Sequence, residues 1–152
     1  MKTTRVIRFH EVGGPEVLKI EKIPLAPPEG RDVRIRVEAM ALNRADVLWR
    51  AGAYVEDPVF PSRIGYDVAG VVEATGPEVT ALKTGDRVSS FPAASVQHYG
   101  NHGETAIYPE NSLIKYPEAL SPAEAAAVNT GLFTAYSLCL RLPVFRLASA
   151  SL

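Results

Sequence analysis

Glycine and proline cut the first two thirds of this chain into extended pieces too short for a large parallel sheet. The sequence holds 11 Gly and 12 Pro, and most of them fall between runs with strand character. Residues 4–9 read as a first strand, broken at Gly13-Gly14-Pro15, and residues 18–23 as a second, closed by Pro24 and the turn Pro27-Pro28-Glu29-Gly30. Residues 32–39 carry the clearest pattern, because Val33, Ile35 and Val37 alternate with Arg34, Arg36 and Glu38. A period of two with charge on one side predicts a strand with one buried and one wet face. Residues 68–74 predict a buried strand interrupted by Gly70, where a bulge or a close backbone approach is expected. Residues 87–91, 104–108 and 113–116 complete the set. Many short strands with Gly and Pro turns predict a mainly β (α+β) fold, a partly open barrel rather than a doubly wound sheet.

Two helices are signalled by their ends. Asn43 is placed to cap a short helix, with Asp46 three residues on and Gly52 as its stop. Ser121-Pro122-Ala123-Glu124 has capping-box spacing with proline at the first helical position, and leads into Ala125-Ala126-Ala127. Helical character then continues to Leu142, with a break expected near Asn129-Thr130-Gly131, and Pro143 ends it. Within that stretch Leu132, Phe133, Tyr136 and Leu140 are spaced for one apolar face.

Composition narrows the classes of function. With 152 residues, one ordinary domain is expected, able to bury about 70% of its unfolded surface. Lys and Arg total 16 against 17 for Asp and Glu, a net charge of −1 that supports neither a nucleic-acid surface nor a membrane-seeking patch. No apolar run approaches the roughly 20 residues of a bilayer span. The amino end opens into strand-like sequence without a signal-peptide core. The single cysteine, Cys139, excludes an intramolecular disulfide and a thiolate-rich zinc cage, so a cytoplasmic protein is expected. Among Leu138, Leu140 and Leu142, Cys139 reads as a small buried or interfacial apolar residue. His98 and His102 stand four apart, but Gly100 and Asn101 between them argue against one helix face, and two histidines on a surface loop are expected. No glycines are spaced for a dinucleotide or P-loop fingerprint.

Three segments in order carry a more specific signal: Ala41-Leu42-Asn43-Arg44-Ala45-Asp46-Val47-Leu48, then Gly65-Tyr66-Asp67-Val68-Ala69-Gly70-Val71-Val72, then Thr84-Gly85-Asp86-Arg87-Val88. Their order and spacing resemble the amino-terminal GroES-like (alcohol dehydrogenase-like) domain of the medium-chain dehydrogenase/reductase superfamily. With Arg50-Ala51-Gly52-Ala53-Tyr54 following, the first segment is most similar to the zinc-free quinone oxidoreductase (zeta-crystallin-like) branch. The likeness implies a GroES-like domain over residues 1–120, a helix over 121–142 that leads into a cofactor domain, and an atypical tail over 143–152, expected to be disordered. After Leu140 the chain departs from the family, and the Rossmann half with its phosphate loop is missing from this sequence.

By resemblance, the lineage transfers hydride from NADPH to quinones or α,β-unsaturated carbonyls. Zinc-dependent relatives carry cysteine where Asn43 stands and Gly-His-Glu where Gly65-Tyr66-Asp67 stands, so no metal site and no zinc are expected. The likeness implies that Asn43, Tyr54 and Thr134 lie near the nicotinamide, with Tyr66 and Asp67 as weaker candidates for the substrate pocket. Each has a purely structural use too: Asn43 as a helix cap, Tyr54 as a cover for the barrel mouth, Thr134 bonded to its own helix, Tyr66 as a packed aromatic and Asp67 as a turn carboxylate. No general acid, base or nucleophile is identified. Gly65, Gly70 and Gly85 are read as backbone-geometry residues. Without the Rossmann half, the chain alone is expected to be inactive and to hold no cofactor tightly, and the full-length form is expected to be a homo-oligomer. Two alternatives stay open: a non-enzymatic GroES-like partner-binding module, and a zinc-dependent alcohol dehydrogenase relative with unusual ligands.

Overall fold

The computed structural model describes residues 2–91 and 95–141. Among them, the chain runs through β1 (Thr3–Phe9), β2 (Lys19–Pro24), β3 (Asp32–Ala41), α1 (Arg44–Arg50), β4 (Ser62–Arg63), β5 (Asp67–Thr75), β6 (Arg87–Ser90), α2 (Val96–Tyr99), β7 (Thr105–Pro109), β8 (Leu113–Lys115) and α3 (Pro122–Arg141). The strands form two antiparallel sheets, one in the order β2-β1-β4 and one in the order β7-β3-β5-β6-β8, without a closed barrel. A bridge from Val6 to Gly103 and the ion pair of Arg5 with Glu104 tie the first sheet to the entry of β7. The expectation of a mainly β, partly open architecture is met.

β3 is the centre of the larger sheet, and its alternating sequence explains why. Val33 and Ile35 are fully buried against Val68, Val72, Val88, Ala106 and Tyr108, whereas Arg36 and Glu38 stay in solvent. Opposite them, Gly70 meets the expected close approach. A Cβ there would collide with the carbonyl oxygen of Arg36, and the β3–β5 register slips between Val37 and Ala39. A second core gathers Phe9, Trp49, Ile64, Tyr66 and Val96 beneath α1. Trp49 is its anchor, with the indole N–H donating to Arg63 O at 3.0 Å and to Ser62 Oγ at 3.2 Å.

α3 starts as its capping sequence requires. Ser121 N–H donates to Glu124 Oε2 at 2.8 Å, and Glu124 N–H donates back to Ser121 Oγ at 3.3 Å. Its first turns dock through small side chains, Ala125 and Ala126 packing with Ala69 and Tyr116. The expected break near Asn129-Thr130-Gly131 does not occur, and α3 is continuous to Arg141. Asn129 and Thr130 turn inward and donate to β6 and β5, so neither side chain competes for the helix backbone. Further along, Leu132, Phe133 and Tyr136 are exposed, which meets the expectation of an apolar face, while the Leu140 side chain lies outside the described set. Cys139 is exposed rather than buried, because it sits beyond the docked part of the helix. The expected tail over residues 143–152 lies outside the described residues.

Candidate functional site

Asn43 stands where β3 gives way to α1, with extended backbone (φ −116°, ψ 157°) as an N-cap residue requires. Its N–H donates to Asp46 Oδ2 at 2.7 Å, the carboxylate half of a capping box. The side chain reaches across to the head of β5, where Asn43 Nδ2 donates to Asp67 Oδ2 at 3.0 Å. From the other side Thr130 Oγ1, on α3, donates to Asp67 Oδ1 at 2.7 Å. Asp67 is fully buried, and each of its oxygens holds one neutral donor. One carboxylate therefore binds the N-terminus of α1 to the middle of α3.

Two more ionisable groups share this region. Asp46 is buried on α1, and His102 is buried before β7 with its Nε2 at 3.2 Å from Ala41 O. The expectation of two surface-loop histidines thus fails for both residues. His98 is exposed but sits in α2, and His102 lies inside. Room for the His102 ring comes from Gly65 (φ +107°), where a Cβ would clash with that ring and lie 2.6 Å from Asn101 Oδ1. Burial pushes the carboxyls of Asp46 and Asp67 above the usual range, and the donors from Asn43 and Thr130 pull Asp67 partly back. Burial likewise pushes His102 below its ordinary value, with Asp46 opposing.

The aromatic candidates form a second group. Tyr54 is half-buried and meets Trp49 edge-on at 6.3 Å and Tyr66 at 6.1 Å between ring centroids. Burial, with the Tyr54 phenol beside it, holds the Tyr66 hydroxyl far above its ordinary range, so it stays protonated. The backbone carbonyl of Tyr66 accepts from Ser90 Oγ at 2.9 Å and from Tyr108 Oη at 3.0 Å, which fixes the start of β5. Of the residues singled out in the sequence, the structure joins Asn43 to Asp67 and Tyr54 to Tyr66. Thr134 stays apart from those bonds: it is exposed on α3, one turn beyond Thr130 on the same face. Read from sequence, Thr130, Asp46 and His102 take other roles: Asp46 as a helix-capping residue, Thr130 as part of an expected helix break and His102 as a surface-loop histidine, since nothing local points to their place beside Asp67.

The site is thus built of neutral donors, an amide, two phenols and a hydroxyl, backed by buried carboxylates. Among the described residues, no three His, Cys, Asp or Glu side chains are grouped to hold a metal ion. A split antiparallel β-fold with a long helix across it is the architecture of a GroES-like domain of the alcohol dehydrogenase type. The chain belongs to the alcohol dehydrogenase GroES-like domain family, whose profile matches residues 29–118, and this bears out the resemblance to the medium-chain superfamily. It is 38% identical over 135 residues to the quinone oxidoreductase of Mus musculus, a match that covers 88% of this chain and 40% of the relative. Its fold is similar to part of a quinone oxidoreductase from Pseudomonas syringae pv. Tomato DC3000 (TM-score 0.82, 36% identity, 91% of this chain and 41% of that one). The Escherichia coli quinone oxidoreductase complexed with NADPH is also similar (TM-score 0.80, 31% identity, 91% of this chain and 40% of that one). The chain therefore spans about two fifths of the length of the relatives it matches.

Proposed function

We propose that this chain supplies the substrate-facing side of an NADPH-dependent oxidoreductase that reduces quinones or α,β-unsaturated carbonyls. The observation that carries the reading is the pinned carboxamide of Asn43. Asp67 accepts a hydrogen bond from one N–H of Asn43 Nδ2, and we assign the other N–H to the carbonyl oxygen of a substrate or of a nicotinamide. Tyr54 offers a second neutral donor from a half-buried position, and Tyr66 limits the space beside it. NADPH, when bound, supplies the hydride. A conjugated acceptor needs orientation more than a Lewis acid, so neutral donors suffice and zinc has no part in this reading.

We assign Asn43, Tyr54 and, from α3, Thr134 to the nicotinamide end of the cofactor alone. Pyrophosphate binding belongs to a glycine-rich helix start that this sequence lacks. The near-neutral charge fits a small-molecule partner rather than nucleic acid or membrane, and no described helix is long and apolar enough to cross a membrane. We place the protein in the cytoplasm, with a homo-oligomer as its longer form. A second reading, a partner-binding module without catalysis, draws on the exposed apolar side of α3.

The test is NADPH oxidation with a simple quinone, by the chain alone and by the chain joined to the nucleotide-binding half of a quinone oxidoreductase relative. The chain alone is expected to show negligible turnover, because oriented binding of the cofactor supplies about 7–11 kcal/mol of such a barrier. The joined protein is expected to turn over, with losses of roughly tenfold or more for Asn43→Ala and Tyr54→Phe, the scale of one positioned hydrogen bond. A joined protein that binds NADPH yet is indifferent to both substitutions would remove these residues from the reaction. One that binds NADPH and stays inactive would favour the binding module.

A further inference from the structure

We infer that Asp67 and Thr130 are positioning residues for the Asn43 carboxamide: together they fix which end of the amide faces outward. The inference rests on the proposed role of Asn43. A carboxamide has a donor end and an acceptor end of nearly the same shape, so an unconstrained asparagine at the rim of a site would sample both. Asp67 removes that ambiguity, since an ionised carboxylate only accepts and can bond only Nδ2. The 3.0 Å contact from Asn43 Nδ2 to Asp67 Oδ2 therefore selects one orientation of the amide, and it is the other N–H of Nδ2 that we assign to a ligand.

Thr130 completes the device. A buried carboxylate with one partner is costly and drifts toward its protonated form, which could donate to Asn43 Oδ1 and turn the amide round. The Thr130 hydroxyl, donating to Asp67 Oδ1 at 2.7 Å, gives the second oxygen its partner and favours the ionised form. The other titratable groups facing Asp67 are His102, which favours ionisation only in its protonated form, Tyr108, a neutral phenol, and Asp46, whose carboxyl is itself held up by the Asp67 charge. Thr130 thus acts on Asn43 from another element, through a carboxylate that need not touch substrate.

Nuclear magnetic resonance of the full chain, following the Asn43 side-chain amide and the Asp67 carboxyl carbon against pH, tests this. Both signals are expected to move with one shared midpoint. Thr130→Val should raise that midpoint, because it removes a donor that favours the carboxylate, and should speed Asn43 amide rotation about fivefold. Thr130→Ser should restore both, and Asp67→Asn should abolish the titration seen at Asn43. A bulky-for-hydroxyl effect on packing alone would leave the midpoint in place. If Asn43 ignores the Asp67 titration in the unsubstituted chain, or Thr130→Val leaves midpoint and rotation unchanged with its backbone spectrum intact, the inference is wrong. Should Thr130→Val fail to fold, the unsubstituted titration and Thr130→Ser decide alone. Activity losses in Asn43→Ala decide separately whether the oriented amide meets a substrate.

Discussion

His102 illustrates how a residue that looks solvated becomes structural. It sits in Gly100-Asn101-His102-Gly103-Glu104, a polar, turn-like run, yet its ring is buried because Gly65, 37 positions earlier, leaves space for it. That burial keeps the imidazole neutral in the folded state below the pH at which a free histidine takes up a proton. The unfolded chain then binds more protons than the native one, so stability falls as pH drops through and below about 6.5. The two buried carboxyls act in the opposite sense, since their raised values make the native state the better proton holder above the usual carboxylate range. His102→Gln is therefore expected to weaken the loss of stability between pH 7 and pH 5. Urea midpoints at the two pH values check this, and an unchanged acid loss in the variant would show that His102 does not carry it. Asn43 was legible in the sequence because its helix-capping context is local. Thr130 was not, because the acceptor of its hydroxyl lies on a strand 63 residues away.

At the scale of elements, α3 is held by what its side chains lack. Ala125 and Ala126 are fully buried against Ala69 and Tyr116, and they let the helix axis approach β3 and β5 closely. Ala126→Leu is expected to cost about 1–3 kcal/mol by overpacking, and to weaken the Thr130–Asp67 bond by lifting the helix. Thermal or urea unfolding gives the first quantity; an unchanged midpoint would mean that the helix is not seated as described. The start of α3 and the alternation of β3 could be read in the sequence because both follow from patterns within one element. The two-residue β4 and the four-residue α2 could not. β4 owes its existence to pairing of Arg63 and Ser62 with Arg8 and Phe9, and its sequence has no alternation to read. The break expected in α3 failed for a related reason: Asn129 is a poor helix residue only while its amide has no better partner than the backbone. Here it donates to Ser89 Oγ and Ser90 O, both at 2.8 Å.

Across the whole molecule, apolar surface is left uncovered on one side. Phe91, Ile114, Asn129, Leu132, Phe133 and Tyr136 line a groove of about 370 Å³, and Leu132 remains 64% exposed. A patch of that kind makes a chain adhesive, so purified protein is expected to bind a hydrophobic dye. Leu132→Lys is expected to reduce the dye signal without lowering the unfolding midpoint, since the side chain packs on nothing that it would leave empty. A midpoint loss beyond about 1 kcal/mol would instead place Leu132 in the core. The strand order has its own consequence, in time rather than in space. β3 finds one sheet neighbour in β5 and the other in β7, and β1 is bridged to Gly103. During synthesis the amino-terminal strands must therefore wait for roughly a hundred residues of chain before their last partners emerge. Until then their edges stay open to any other strand within reach, and a cell making this protein has to keep nascent copies apart.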